Sequence, residues 1–159
     1  MTAVSDTSPI CYLILIDEIS VLPGLFNDVL VPQAVLAELR HEDAPEAVRK
    51  WSFSPPSWIA AKEGSAAVTT GMEKLQAGEQ AAILLAQSVN ANVILLDEKS
   101  ARRVAIDRGL QVSGTLGIIG EASARGLVDL TAAIERLRTT NFRYSPALLK
   151  ATLDRFAGR

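Results

Sequence analysis

Four acidic residues stand where the elements expected from the sequence begin or end. Asp6 and Asp97 each follow a short apolar run that is typical of a buried β-strand. Glu79 opens an apolar helical segment, and Glu38 lies in the second turn of a helix that follows a proline. Because ligands bind beyond the carboxyl ends of parallel strands, we expect these four carboxylates to share one edge of a sheet. Clustered carboxylates repel one another unless a cation holds them, so the pattern predicts a site for Mg²⁺ or Mn²⁺.

Each acid also has an ordinary explanation when it is taken alone. An aspartate after a strand often forms a turn, and a glutamate in the first turn of a helix stabilises the helix dipole. Glu38 alone would be a solvated helix residue. Their joint placement favours the metal site. A metal held there can activate a bound water and stabilise the charge that develops on a phosphodiester.

The composition excludes most other kinds of site. The chain has one cysteine, Cys11, and one histidine, His41. This count excludes an intrachain disulfide and a structural zinc site, which needs four such ligands. We assign no catalytic role to His41. A net charge of −2 gives no overall positive field for nucleic acid, so the carriers of any chemistry are expected to be carboxylates.

The 159 residues are 48% hydrophobic and 21% charged, which predicts a single globular domain over residues 1–159. Strands are expected at the N-terminus before Asp6 and at 28–31, 58–61, 93–96 and 110–112. Helices are expected from Ser8 to Ile16 and at 32–42, 79–89, 100–108, 116–125, 129–139 and 146–156, with Ser8 as N-cap and Pro9 at the first helical position. The prolines within 51–58 are expected to exclude regular helix there. Strands alternating with helices predict an α/β fold with a mainly parallel sheet layered between helices.

The sequence predicts a cytoplasmic protein that does not enter a membrane. The apolar run Ile10–Ile16 is far too short to span a bilayer. The residues before it include Asp6 and no lysine or arginine, which is not the pattern of a signal peptide.

Several segments together resemble the PIN domain. They are Val4–Pro9, Val31–Leu39, Gly78–Ile83 and Leu95–Glu98, joined by Ala101–Ala105 and Gly114–Gly117. Their order and spacing are similar to those of an uncharacterised, VapC-like subgroup of PIN domains, and the resemblance covers residues 3–150.

The resemblance implies a three-layer α/β/α sandwich and a metal-dependent endoribonuclease, frequently the toxin of a toxin–antitoxin pair. It implies that Asp6, Glu38, Glu79 and Asp97 form the acidic cluster that binds Mg²⁺ or Mn²⁺ and cleaves RNA. Ser8 would be the small hydroxyl residue that helps to order the site. The implied partners are RNA, a small antitoxin whose tail would occupy the acidic groove, and a second copy of the chain in a homodimer.

The chain departs from the better-known PIN pattern at two positions. Many PIN nucleases have an aspartate where Glu79 stands, and a Thr-x-Asp motif where this chain has Asp97-Glu98-Lys99-Ser100. Glu98 could therefore share or replace the role of Asp97.

The basic and aromatic residues could contact RNA or have ordinary structural roles. Lys99, Arg102, Arg103 and Arg108 flank Asp97, and further basic residues, Arg125, Arg136, Arg138, Arg143 and Lys150, concentrate in the last third. They could hold RNA phosphates or form solvated helix faces. Trp51 and Trp58 could stack on bases, but packing in a core or an interface is the favoured interpretation.

The sequence leaves two other functions open. One is a catalytically weak PIN-like module that binds or regulates through a protein partner. The other is a small-molecule enzyme that uses the segment Ser113–Gly120, although its glycine spacing is not that of a dinucleotide-binding loop. Close helix–sheet packing explains those glycines better, and neither a P-loop nor a G-x-S-x-G motif is present.

Overall fold

A five-stranded sheet forms the centre of the protein in a computed structural model, which describes residues 1–64 and 69–157. All of its strand pairs are parallel, and the order is β3-β2-β1-β4-β5. The strands are β1 (Thr2–Ser5), β2 (Asp28–Val31), β3 (Ile59–Ala61), β4 (Val93–Leu95) and β5 (Val112–Ser113). The first strand of the chain is therefore the central strand of the sheet.

Nine helices connect and cover these strands within the described ranges. They are α1 (Thr7–Leu15), α2 (Val21–Leu25), α3 (Gln33–Leu39), α4 (Glu46–Phe53), α5 (Ala77–Ser88), α6 (Lys99–Asp107), α7 (Thr115–Ala124), α8 (Leu130–Arg138) and α9 (Pro146–Phe156). No helix in the described part of the chain is long and apolar enough to cross a membrane.

The helices form two layers, one on each face of the sheet. Ala3 and Leu95 point into an apolar core that they share with α1, α2, α7, α8 and α9. Their neighbours Val4 and Ile94 point to the opposite face, where α5 and α6 cover them. Successive side chains of a strand alternate between faces, so a buried sheet needs such runs of apolar residues. The expected three-layer α/β/α fold is confirmed.

The expected start of α1 is wrong by two residues. Asp6, not Ser8, is the N-cap, and the helix begins at Thr7. Pro9 consequently stands at the third helical position rather than the first. The position tolerates proline because the first four backbone N–H groups of a helix have no partner within it.

Two helices were not expected from the sequence. The short helix α2 contains Pro23 and Gly24, which obscure its pattern. The helix α4 runs to Phe53 and buries Val48 against α1 and α3. The expectation that prolines exclude helix after residue 50 is therefore wrong for residues 51–53, because Pro55 lies beyond the helix and does not interrupt it. The end of α3 at Leu39 and the shift of β5 to Val112–Ser113 are smaller corrections.

Parallel pairing brings the carboxyl ends of β1 and β4 together. The backbone N–H of Asp6 donates to the carbonyl of Leu95 over 3.0 Å, one residue beyond the end of β1. The N–H of Leu96 donates in turn to the carbonyl of Ser113 over 2.9 Å. These bonds fix Asp6 and Asp97 at the same edge of the sheet.

Candidate active site

A cavity of about 680 Å³ opens at the carboxyl edge of the sheet. All four predicted acids line it, and so do Ser8 and Glu98. The remaining lining residues are Thr7, Cys11, Tyr12, Lys74, Gln76, Ser100, Asn141, Phe142 and Arg143. The structure thus brings together carboxylates that are far apart in the sequence.

Asp6 is the most buried of the four acids. Only 6% of its surface is exposed, and its Oδ1 is buried without a hydrogen-bond partner in the described part of the chain. Burial raises the pKa of Asp6 to about 7, and the charges of Glu79, Glu38 and Asp97 act in the same direction. A hydrogen bond from the backbone of Thr7 opposes this rise. A cation would stabilise the charged form of a carboxylate that has an unpartnered oxygen and lies among other carboxylates.

Asp97 is held by the first residue of α7. The backbone N–H of Thr115 donates to Oδ1 over 2.7 Å, and its hydroxyl donates to Oδ2 over 2.6 Å. Burial raises the pKa of Asp97, and the hydrogen bonds from Thr115, the charge of Arg102 and a hydrogen bond from Ser8 limit the rise. A Cβ on Gly114 would lie 2.9 Å from Oδ1 of Asp97, so the glycine permits this close approach.

The two glutamates reach the cavity from helices α3 and α5. The hydroxyl of Thr7 donates to Oε2 of Glu38. The backbone N–H of Gln76 donates to Oε1 of Glu79 over 2.9 Å, so this carboxylate also caps α5. Burial raises the pKa of Glu79, and the charges of Glu98 and Glu38 add to that effect.

Four residues that the sequence suggests could support the acids, Ser8, Glu98, Lys99 and Arg102, differ in their placement. Ser8 and Glu98 line the cavity, which keeps Glu98 beside Asp97 as a possible ligand. Lys99 is exposed and does not line the cavity. Arg102 also lies outside the lining, where its Nη1 donates to the carbonyl of Leu96 over 3.1 Å. Its positive charge limits the rise in the pKa of Asp97 that burial causes.

The carboxylates of the cavity are the type of ligand that a hard divalent cation prefers, but their arrangement in the described part of the chain does not form a metal site. Within residues 1–64 and 69–157, no group of three His, Cys, Asp or Glu side chains is arranged so that it could hold a metal ion. Protein donors engage all four carboxylates, although Oδ1 of Asp6 has no partner among the described residues. The cavity nevertheless offers mostly oxygen ligands, and Oδ1 of Asp6 is one without a hydrogen-bond partner. Oxygen ligands of this kind fit Mg²⁺ or Mn²⁺.

Sequence reasoning missed the residues that orient the acids and close the cavity. Thr7 and Thr115 were not assigned to Glu38 and Asp97, although a hydroxyl residue at the start of a helix beside a strand end is a usable signal. Lys74 was not singled out in the sequence, whereas Arg143 was among the arginines that could hold RNA phosphates, and both reach the cavity only through tertiary packing. No local pattern marks such residues.

The aromatic and glycine patterns have structural explanations. The rings of Trp51 and Trp58 lie 6.1 Å apart, pack against the apolar cores and do not line the cavity. A Cβ on Gly117 would lie 2.6 Å from the hydroxyl oxygen of Ser113, and one on Gly120 would overlap the ring of Phe156. These contacts agree with glycines that permit close packing.

Comparison with known protein families identifies a match. A family model described as a PIN domain matches residues 2–157, nearly the whole chain. Searches of curated proteins and of solved structures gave no match.

Proposed function

Because the chain belongs to the PIN-domain family, we propose that it is an endoribonuclease that depends on Mg²⁺ or Mn²⁺ and hydrolyses RNA phosphodiester bonds. PIN domains are in general nucleases that use divalent metal ions. The observation that carries the proposal for this chain is the buried, unpartnered Oδ1 of Asp6 in a cavity with three further acids. A buried carboxylate oxygen without a partner is costly unless a ligand supplies the missing interaction.

Asp6, Glu79 and Asp97 would hold the metal, and Glu38 would bind it directly or through water. Glu98, which lines the same cavity, can share the role of Asp97. A divalent cation bound there supplies the activation of a water and the stabilisation of charge on the phosphodiester.

The chain's own residues would prepare the carboxylates for this task. Two hydrogen bonds from Thr115 fix both oxygens of Asp97, so the carboxylate keeps one orientation without a ligand. Thr7 holds Glu38 from the first turn of α1. A site whose ligands are already oriented loses less conformational entropy when it binds.

We further propose that the protein acts in the cytoplasm as the toxin of a toxin–antitoxin pair, as a homodimer that a small antitoxin blocks. The similarity of its segments to VapC-like PIN domains supports this role. The free thiol of Cys11 is compatible with a reducing compartment.

Cleavage of a labelled single-stranded RNA by the wild-type protein tests the enzymatic proposal. We expect cleavage with Mn²⁺ or Mg²⁺, none with EDTA, and a loss of at least about 100-fold in Asp6→Asn, because the variant removes one negative ligand. Asp17→Asn is the matched control. It makes the same chemical change at an exposed residue outside the cavity, where a positive φ of 60° suits asparagine as well as aspartate. Metal-dependent cleavage retained by Asp6→Asn would refute the assignment.

A second candidate function is a catalytically weak module that acts through a protein partner. The protein donors that engage Glu38, Glu79 and Asp97 favour it, since they compete with a metal for the same oxygens. Isothermal titration with Mn²⁺ separates the two candidates. A wild-type protein that neither binds Mn²⁺ nor cleaves RNA would support the second.

A further inference from the structure

We propose that Arg143 is a substrate-positioning residue that binds a phosphate of the RNA chain next to the phosphate that is cleaved. Arg143 lies in the loop of residues 139–145 between α8 and α9, here called the arginine loop. The inference rests on the proposed function, and it adds a residue that contacts the substrate away from the carboxylates.

The charge of the cavity creates a need for such a residue. Five carboxylates line the cavity, those of Asp6, Glu38, Glu79, Asp97 and Glu98, and they repel a polyanion. A metal can offset this repulsion at the phosphate under attack, but not along the rest of the chain. Only two cationic side chains, those of Lys74 and Arg143, are among the lining residues that the structure describes.

Arg143 is free to bind an anion. It is exposed, and no ion pair with it is found in residues 1–64 and 69–157. Arg102, by contrast, already donates to a backbone carbonyl. A guanidinium group matches a phosphate well, because its planar donors bind two oxygens at once.

The arginine loop is anchored on both sides of Arg143. The hydroxyl of Tyr12 in α1 donates to Oδ1 of Asn141 over 2.8 Å. The ring of Phe142 meets the ring of Tyr12 edge-on at 4.9 Å and stacks with that of Tyr144 at 6.2 Å. Arg143 and Tyr12 both line the cavity, and the positive charge of Arg143 opposes the rise in the pKa of Tyr12 that burial causes. The arginine loop therefore packs against α1, whose N-cap is Asp6, and Arg143 lines the same cavity as Asp6.

The test measures RNA binding and cleavage as functions of salt concentration in wild type, Arg143→Gln, Arg143→Lys and Arg125→Gln. Arg125 is the matched control, an exposed arginine outside the cavity and without a described ion pair. Binding is measured by fluorescence anisotropy of a short single-stranded RNA with Ca²⁺, and thermal melting checks that each variant is folded.

We expect Arg143→Gln to raise the Kd and the KM about tenfold with kcat little changed, because the residue does not touch the reacting atoms. The slope of the logarithm of the RNA association constant against the logarithm of the salt concentration should become shallower by about 0.7, the value for one phosphate of a single strand. Arg143→Lys should keep this slope, and Arg125→Gln should behave as wild type.

An unchanged salt slope in a folded Arg143→Gln would overturn the inference while wild-type cleavage leaves the proposed function standing. A wild-type protein that binds RNA through Arg143 but does not cleave it would refute only the nuclease. Absence of RNA binding by the wild type would overturn the inference as well.

Discussion

Substitution of Asp6 by asparagine should change how the stability of the metal-free protein depends on pH. The pKa of Asp6 is about 7 in the folded chain and 3.8 in its ordinary environment. Between these values the folded state holds a proton that the unfolded state has lost. The contribution of Asp6 to the free energy of unfolding is therefore greatest below pH 3.8 and is lost as the pH rises through 7.

The size of this loss follows from the two pKa values. One pKa unit corresponds to about 1.4 kcal/mol, so the free energy of unfolding should fall by about 2.5 kcal/mol between pH 5 and pH 8 through Asp6 alone. Glu79 and Asp97, whose pKa values are also raised, act in the same direction in both proteins. The difference between wild type and Asp6→Asn isolates the contribution of Asp6.

Urea denaturation in EDTA at several pH values from 5 to 8 measures this difference. Between pH 5 and pH 8, the free energy of unfolding of Asp6→Asn should rise by about 2.5 kcal/mol relative to that of the wild type. Addition of Mn²⁺ at 100 times its Kd should stabilise the wild type by about 2.7 kcal/mol and leave Asp6→Asn nearly unchanged. If the free energy of unfolding depended on pH in the same way in both proteins in EDTA, Asp6 would not be a buried acid with a raised pKa.

Two further substitutions test how the other carboxylates are held. Gly78→Ala would place a Cβ 2.6 Å from Oε1 of Glu38 and displace that carboxylate, so we expect the rate of cleavage to fall by about 10- to 100-fold. The melting temperature should stay the same or rise, since alanine favours helix more than glycine does. A parallel loss of stability in a thermal melt would contradict this. Thr115→Val removes the hydroxyl donor to Asp97 and therefore raises the pKa of that carboxyl. We expect the acid limb of the pH–rate profile to move to higher pH and the free energy of unfolding to fall by about 2 kcal/mol. Thr115→Ser should restore both, and an unmoved profile would show that Asp97 does not need this hydrogen bond.

The parallel sheet could be predicted because its signals are local. The apolar run that ends in Asp97 is as long as a buried strand should be, and Asp28–Val31 forms a strand at the predicted residues. The helices missed were those whose prolines conceal them. Pro23 lies inside α2, whereas Pro55 follows α4, and spacing alone did not separate a proline that interrupts a helix from one beyond its end.

The acids of the candidate site were predictable for a related reason, since topology places strand ends together. Asp6 and Asp97 follow neighbouring strands, and both reach the cavity. The bonds that hold them were not predictable. Thr115 bonds to Asp97 across 18 positions of sequence, and Arg143 reaches the cavity through the packing of a loop against α1. Such pairings depend on how helices pack, which periodicity does not encode.

The central position of the first strand also governs when the site exists during synthesis. β1 leaves the ribosome first, but its second neighbour is β4, and Asp97 follows that strand. Until residue 97 has emerged, Asp6 ends a strand with one bare edge and lacks the carboxylate beside it. The arginine loop emerges later still. A nascent or truncated chain that ends before residue 97 therefore lacks part of the acidic centre, whereas one that ends between residues 98 and 143 has the acids but lacks Arg143.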